Sequence, residues 1–259
     1  DWVLKTAVAD DLTLEGSPEQ IEKTLTRMYK TEYVREWQRF MQGITVQEFG
    51  SFEQAVAHMN RLGDPKHSPV GLLVQTLYDQ TSWDNPSLLN ERMATGQKRF
   101  LEWFKQRIMS VTPSQTNVNV DVSTNQQAAI PMGPIGQEFS ALTRVVMARD
   151  GGEAMMQRYM AALAKVRTRF NQMKAQGDPG PGARQLMAQT LAGQGELAEA
   201  LSLVDEQMLV GMSDSARASL RPILVRPLMQ AYAVVVAPAE TELNRVWTAQ
   251  VYEPYQRTL

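Results

Sequence analysis

Residues 37–81 read WQRFMQGITVQEFGSFEQAVAHMNRLGDPKHSPVGLLVQTLYDQT. The stretch holds the end of one helix, the whole of a second and the start of a third. Trp37, Phe40 and Met41 close the first apolar stripe, and Gly43 is placed to end that helix in a left-handed conformation. Ser51 and Gln54 form a capping pair ahead of Phe52, Val56 and Met59, with Gly63 as the stop. The polar turn Asp64-Pro65-Lys66-His67 follows. Ser68-Pro69 then opens a third helix carrying Leu72, Leu73, Thr76 and Leu77. That third helix is expected to be the element on which the others pack.

The same signals continue outward. Ser17-Pro18-Glu19-Gln20 is a capping box with proline at the first helical position. Behind it, Ile21, Leu25, Met28, Trp37, Phe40 and Met41, with Tyr29 and Tyr33 beside them, step by threes and fours and predict a buried face. Residues 1–15 carry few signals beyond Trp2, Val3 and Leu4, which could pack on a core. Asn85-Pro86 opens a fourth helix with a stripe of Leu89, Met93, Phe100, Leu101, Phe104 and Ile108.

Residues 110–133 break this pattern. They are polar, almost uncharged and free of aromatic residues, which predicts a linker. A second reading is open: Thr116, Val118, Val120, Val122 and Thr124 alternate with polar residues, the period of a short strand at 116–124 that would pair with a neighbour. Beyond it the helical pattern returns, with a hard break at residues 177–182 (GDPGPG) and an end at Gly211. Pro222 and Pro227 are expected to interrupt the next helix, with a new one starting at Pro227, and Pro238 to kink or restart it. The expected architecture is all-α: an N-terminal helical half, 1–109, a linker, 110–133, and a C-terminal helical half, 134–259.

A chain of 259 residues can bury a sizeable core without staples. Lys and Arg number 26 against 28 Asp and Glu, so no strong field draws it to nucleic acid or anionic membrane. There is no cysteine, which excludes disulfides, thiol catalysis and Cys-zinc sites. The least polar short run, 231–239, is well under the ~20 residues of a spanning helix. The chain is expected to be soluble, and its start at Asp1 suggests an excised piece whose anchor lies elsewhere.

Catalytic chemistry finds little support. His58 and His67 belong to no metal-binding spacing. The glycines at 177–182 have no Lys-Ser/Thr pair, and their prolines remove N–H donors a phosphate would need. Gly193-Gln194-Gly195 is a helix break. Asp10-Asp11 and Asp205-Glu206 are adjacent pairs that point to different faces of a helix, unsuited to shared acid–base work. The methionines fall on helical stripes and read as core filling. No catalytic, metal-binding or cofactor-binding residue is expected.

Taken in order, Tyr29, Tyr33, Trp37 and Phe40, then Ser68-Pro69, Leu72-Leu73 and Thr81, resemble the periplasmic region of the TssM/IcmF family. Val70 stands where that family usually has Leu. Pro227-Leu228 and the run Leu243-Asn244-Arg245-Val246-Trp247 are similar to the family's C-terminal helix, so Asn244 and Trp247 join the motif residues Tyr33, Trp37, Phe40, Ser68, Pro69, Leu72, Leu73 and Thr81. The resemblance implies a structural component of the type VI secretion trans-envelope complex, a periplasmic scaffold segment of an inner-membrane protein and not an enzyme. It implies as partners other copies of the chain, a TssL-type inner-membrane protein and a TssJ-type outer-membrane lipoprotein, the last through a downstream β domain absent here. The rival readings are a helical adaptor or binding module of another bacterial envelope assembly, and a helical enzyme with an unrecognised carboxylate site.

Overall fold

A computed structural model describes residues 17–85, 132–148 and 152–258. Every regular element among them is helical: α1 (Pro18–Gly43), α2 (Phe52–Leu62), α3 (Pro69–Thr81), α4 (Pro134–Val146), α5 (Met155–Ala175), α6 (Gly180–Leu191), α7 (Gly195–Ser202), α8 (Asp214–Trp247) and the short α9 (Glu253–Gln256). A 3₁₀ turn, Ser82–Asp84, follows α3, and wider π turns follow α7 (Leu203–Met208) and α8 (Thr248–Tyr252). The all-α expectation is borne out. The fourth helix, most of the linker and the strand reading at 116–124 lie outside the described residues, as do Trp2, Val3 and Leu4.

The helix starts follow the local chemistry of the sequence. Ser17, Ser51 and Ser68 cap α1, α2 and α3 by accepting from the N–H groups of Gln20, Gln54 and Gly71. Each such cap is worth about 1 kcal/mol. Gly211 takes positive φ at the turn ahead of α8, where only glycine is unstrained. Gly43 does not: α1 runs through it and ends on extended Ile44.

The core lies elsewhere than the sequence suggests. In α3 the buried face is Val70, Val74, Leu77, Tyr78 and Thr81, while Leu72 is 56% exposed. The centre of packing is α8, whose Leu220, Ile223, Leu224, Leu228, Ala231, Val235 and Ala239 are buried, together with α5, which buries Tyr159, Leu163, Val166, Phe170 and Met173. Elements from before residue 86 and after residue 131 contribute to this one core.

Helix α8 is also where proline rules mislead. It passes unbroken through Pro222, Pro227 and Pro238. An interior proline removes one N–H bond and crowds the preceding turn, at a cost of about 3 kcal/mol. Burial of apolar side chains from Leu220 to Ala239 along one face offsets that cost. Beside Pro227 the carbonyl of Leu224 accepts from the fully buried Tyr159 hydroxyl at 2.8 Å, and burial pushes that hydroxyl above the usual phenol range. The continuous helix Asp214–Gln256 is long and apolar enough to cross a membrane. Nearly half of its apolar window is buried against the other helices, which gives it the character of a core helix.

Candidate functional site

The first family-like motif converges where α1 crosses the end of α3 and the start of α4. Tyr33 sits at the centre. Its hydroxyl donates to the carbonyl of Gln80 at 3.0 Å. Its ring meets Tyr29 at 5.9 Å, Trp37 at 6.4 Å and Trp83 at 6.0 Å. Trp37 in turn meets Phe40 edge to face at 5.6 Å. The four α1 rings recur at three- and four-residue steps, so they form a ladder along one helix face. Offset and edge-to-face pairs of this kind each add about 0.5–1.5 kcal/mol beyond area burial.

A buried carboxylate lies beside the ladder. Asp84 is paired with Lys30, and its Oδ2 also accepts from the N–H of Ile135 at 3.0 Å. Its backbone carbonyl accepts from Gly133 N–H at 3.1 Å. Lys30 Nζ lies 5.7 Å from the Trp83 ring centroid, within cation–π range. Two glycines make the approach possible. A Cβ on Gly133 would collide with the Asp84 carboxylate, and one on Gly136 would lie 2.8 Å from Asp84 O. One acidic side chain thus ties α1 to the first turn of α4, from the loop that closes α3.

A second polar knot reinforces the joint. Glu138 Oε1 on α4 accepts from Gln38 Nε2 on α1, and from Ser213 Oγ and Ser215 Oγ at the start of α8, each at 2.9 Å. Ser213 also caps α8, accepting from Ala216 N–H. Four helices therefore meet through two carboxylates.

The other motif residues are dispersed. Thr81 is buried near the joint, its hydroxyl donating to Leu77 O at 2.7 Å. Trp37 is half-buried, and Phe40 is 54% exposed. The buried stripe expected for α1 is thus confined to its second half, where Met41 is buried and Tyr33, Val34 and Trp37 pack on the core. Leu25 and Met28 face solvent. Ser68 and Pro69 mark the opposite end of α3, with Leu73 packed on the core. Ser68 and Leu72 line an open cleft of about 440 Å³ between α3 and α5, whose lining holds one carboxylate, Glu153. Asn244 and Trp247 sit exposed on the last turns of α8. Lys30, Asp84, Gly133 and Glu138 are not legible in the sequence as site residues, because their partners lie far away in the chain, up to 100 positions for Gln38 and Glu138.

Chemically the joint is a clamp. Each Asp84 oxygen accepts from a donor and Glu138 Oε1 accepts from three, and among the described residues no group of three or more His, Asp or Glu could hold a metal ion. The first 82 residues match the family described as IcmF-related, intracellular multiplication and human macrophage-killing. No curated protein matches the chain. Two solved structures are similar over nearly its whole length. A chain of a "Type VI secretion system membrane core complex" is 19% identical, with a TM-score of 0.65, over 93% of this chain and 41% of that one. A chain of a "Type VI membrane complex" is 17% identical, with a TM-score of 0.60, over 99% and 44%. This chain spans less than half the length of either. The resemblance to the TssM/IcmF family is borne out by the family match over residues 1–82; beyond them the likeness to the two solved structures is one of fold.

Proposed function

From a chain whose first third matches the IcmF-related family, we propose a structural role: a scaffold segment of the type VI secretion trans-envelope complex. The observation that carries this reading is the joint at Asp84, seated in a fold that follows the type VI membrane-complex chains for 93% and 99% of its length. Two carboxylates are committed to holding four helices together, and the open cleft offers no second carboxylate for acid–base work. A rigid helical block is suited to transmitting position between partners, and it has no catalytic duty in this reading.

The finer assignments belong to the same proposal. The segment lies in the periplasm, as two helical halves about the stretch 110–133. Its partners are other copies of itself, a TssL-type inner-membrane protein and, through a downstream β domain, a TssJ-type lipoprotein. The motif residues Tyr33, Trp37, Phe40, Ser68, Pro69, Leu72, Leu73, Thr81, Asn244 and Trp247 are structural in this reading.

The test is made in the parent bacterium. Loss of the gene segment should abolish contact-dependent killing of competitor cells, and protease added to spheroplasts should cleave the segment while sparing cytoplasmic markers. Normal killing without the segment would overturn the role, and protection from protease would overturn the periplasmic placement. Capture by an unrelated envelope machine, with killing intact, would favour the adaptor reading.

A further inference from the structure

Between α1 and α2 the chain passes through residues 44–50 as neither helix nor turn. It is extended where this stretch begins, at Ile44, and again just after it, at Ser51. Ile44 and Val46 pack on the core, and Phe49 is buried with its ring stacked on His58 at 5.0 Å. Thr45 and Gln47 face solvent. The backbone here is poorly paired. Val46 O accepts from Gln230 Nε2, but among the described residues the N–H groups from Thr45 to Phe49 have no acceptor. Gln230 Oε1 is itself buried without a donor. An open cleft of about 230 Å³ lies beside the stretch, walled by Arg61 and Leu62 of α2, Val70 and Leu73 of α3 and Ile223 of α8. An added strand needs these two things, a backbone with free N–H groups and space for its alternate side chains.

We propose that the occupant is residues 116–124 of the same chain, paired antiparallel with 44–50. That segment lies outside the described residues; its sequence and its tether choose it. Thr116, Val118, Val120, Val122 and Thr124 alternate with Asn117, Asn119, Asp121 and Ser123, which sets β-branched residues on one face of a strand and polar ones on the other. Two strands alone are marginal in water, and the apolar cleft supplies the surface such a pair lacks. The described chain leaves at Asn85 and returns at Met132, both at the joint where Gly133 N–H meets Asp84 O. From Leu73 on the cleft wall to Asp84 is ~17 Å along α3, and the chain from 124 to 132 can span up to ~26 Å. The tether also sets the direction. Gln38, near the end of α1, is bonded to Glu138 of α4, so the Ile44 end of the stretch is nearer residue 132 and meets the 124 end of the segment. With Val120 beside Val46 and Val122 beside Ile44, the valines face the cleft and Asn119 lies opposite Gln47 in solvent. The charges agree: the one charged residue of the segment, Asp121, is acidic, and Arg61 has no acidic partner among the described residues. A second copy carries the same segment, but the tether gives this one an effective concentration that a free copy does not match.

The chain has no native cysteine, so paired thiols in the purified protein report the contact. Gln47→Cys with Asn119→Cys should close to a disulfide within one chain under mild oxidation. It should do so ~10-fold or more faster than Gln47→Cys with Gln127→Cys, which shares the tether but lies outside the segment. Amide deuterium exchange gives an independent reading. The N–H groups from Thr45 to Phe49 should be protected in the native sequence. Val120→Pro, which removes an N–H and cannot sit inside a ladder, should speed their exchange ~10-fold or more while the core helices stay protected. Equal rates for the two cysteine pairs, a disulfide that joins two chains, or exchange at 45–49 that Val120→Pro leaves unchanged would each overturn the proposal. None of these results bears on competitor killing, so the scaffold role stands or falls separately.

Discussion

Near Asp84, a buried carboxylate paired with Lys30, the ring of Tyr33 meets those of Trp37 and Trp83. At the end of α8, Trp247 stacks on Tyr252 with both rings facing water. The residue types are alike, and the difference lies in what surrounds them. The first cluster packs against the core beside a paired carboxylate, so much of its aromatic area is already spent on folding. The second has a helix on one side only. An aromatic cluster within a fold therefore reads as structure or as unspent contact surface according to whether a second element covers it.

If the joint is structural, breaking its centre should have a larger effect than any other single substitution in either cluster. Asp84→Ala removes the partner of Lys30 and leaves the Ile135 N–H unpaired. Truncating one member of a buried pair costs about 3–5 kcal/mol. At roughly 2–4 °C per kcal/mol for a chain of this size, the thermal midpoint should fall by on the order of 10 °C. A shift no greater than a surface change produces would erase the contrast. Gly133→Ala should follow at about 1–3 kcal/mol, since its Cβ must displace the Asp84 carboxylate. Gly43→Ala, with open space where the Cβ would go, is the control that should not destabilise.

Trp37 comes next and sharpens the comparison within α1. It is half-buried and bridges Tyr33 and Phe40. Complete burial would make Trp37→Ala cost about 3–5 kcal/mol; half of that is expected here. Phe40→Ala, at the exposed end of the ladder, should fall within about 0.5 kcal/mol. Equal losses at both positions, read from urea unfolding at constant slope, would mean that the ladder acts as one buried unit.

These ranks show what the sequence can carry. Ser17, Ser51 and Ser68 act on N–H groups three residues away, so a short window of sequence holds the whole interaction. Val70 and Leu72 are a harder case. Both are apolar, and only the packing of α3 on its neighbours, α4 first among them, decides that Val70 turns inward and Leu72 outward. Asp84 is harder still: in the sequence it is part of a turn before Asn85-Pro86, while its donors come from Lys30 and from Ile135. Pro222, Pro227 and Pro238 mislead for a thermodynamic reason. Local rules count the lost N–H bonds and leave out the burial that offsets them.

The polar surface of α8 offers a pH-dependent comparison. Arg221 makes two hydrogen bonds to Asp205, at 2.8 and 2.9 Å, and this pairing holds the Asp205 carboxyl below its ordinary range. A depressed folded value means the bridge stabilises the fold fully above the unfolded carboxyl value of about 3.9. That stability is lost as pH falls through the lower folded value. Both side chains are more than a third exposed, so solvent limits the contribution to under about 1 kcal/mol. Asp205→Asn should lower the midpoint slightly at neutral pH and leave it unchanged once pH has fallen below the folded value. A difference that persists in that acid range would place the cause outside the charge pair.

The smallest effect is expected at Trp247. The side chain is 53% exposed and belongs to a helix end with no buried residue. Trp247→Ala removes the stack on Tyr252, a contact between two solvated rings. Surface changes of this kind stay within about 0.5 kcal/mol. The measurement is chemical unfolding of the purified chain. A loss several times larger would mean that the C-terminal turns of α8 support the core after all, and Trp247 would then belong with Tyr33 and Trp83 on the structural side of the comparison. A negligible loss, set beside the large one at Asp84, would leave Trp247 a ring with no folding duty, in contrast to Tyr33 and Trp83.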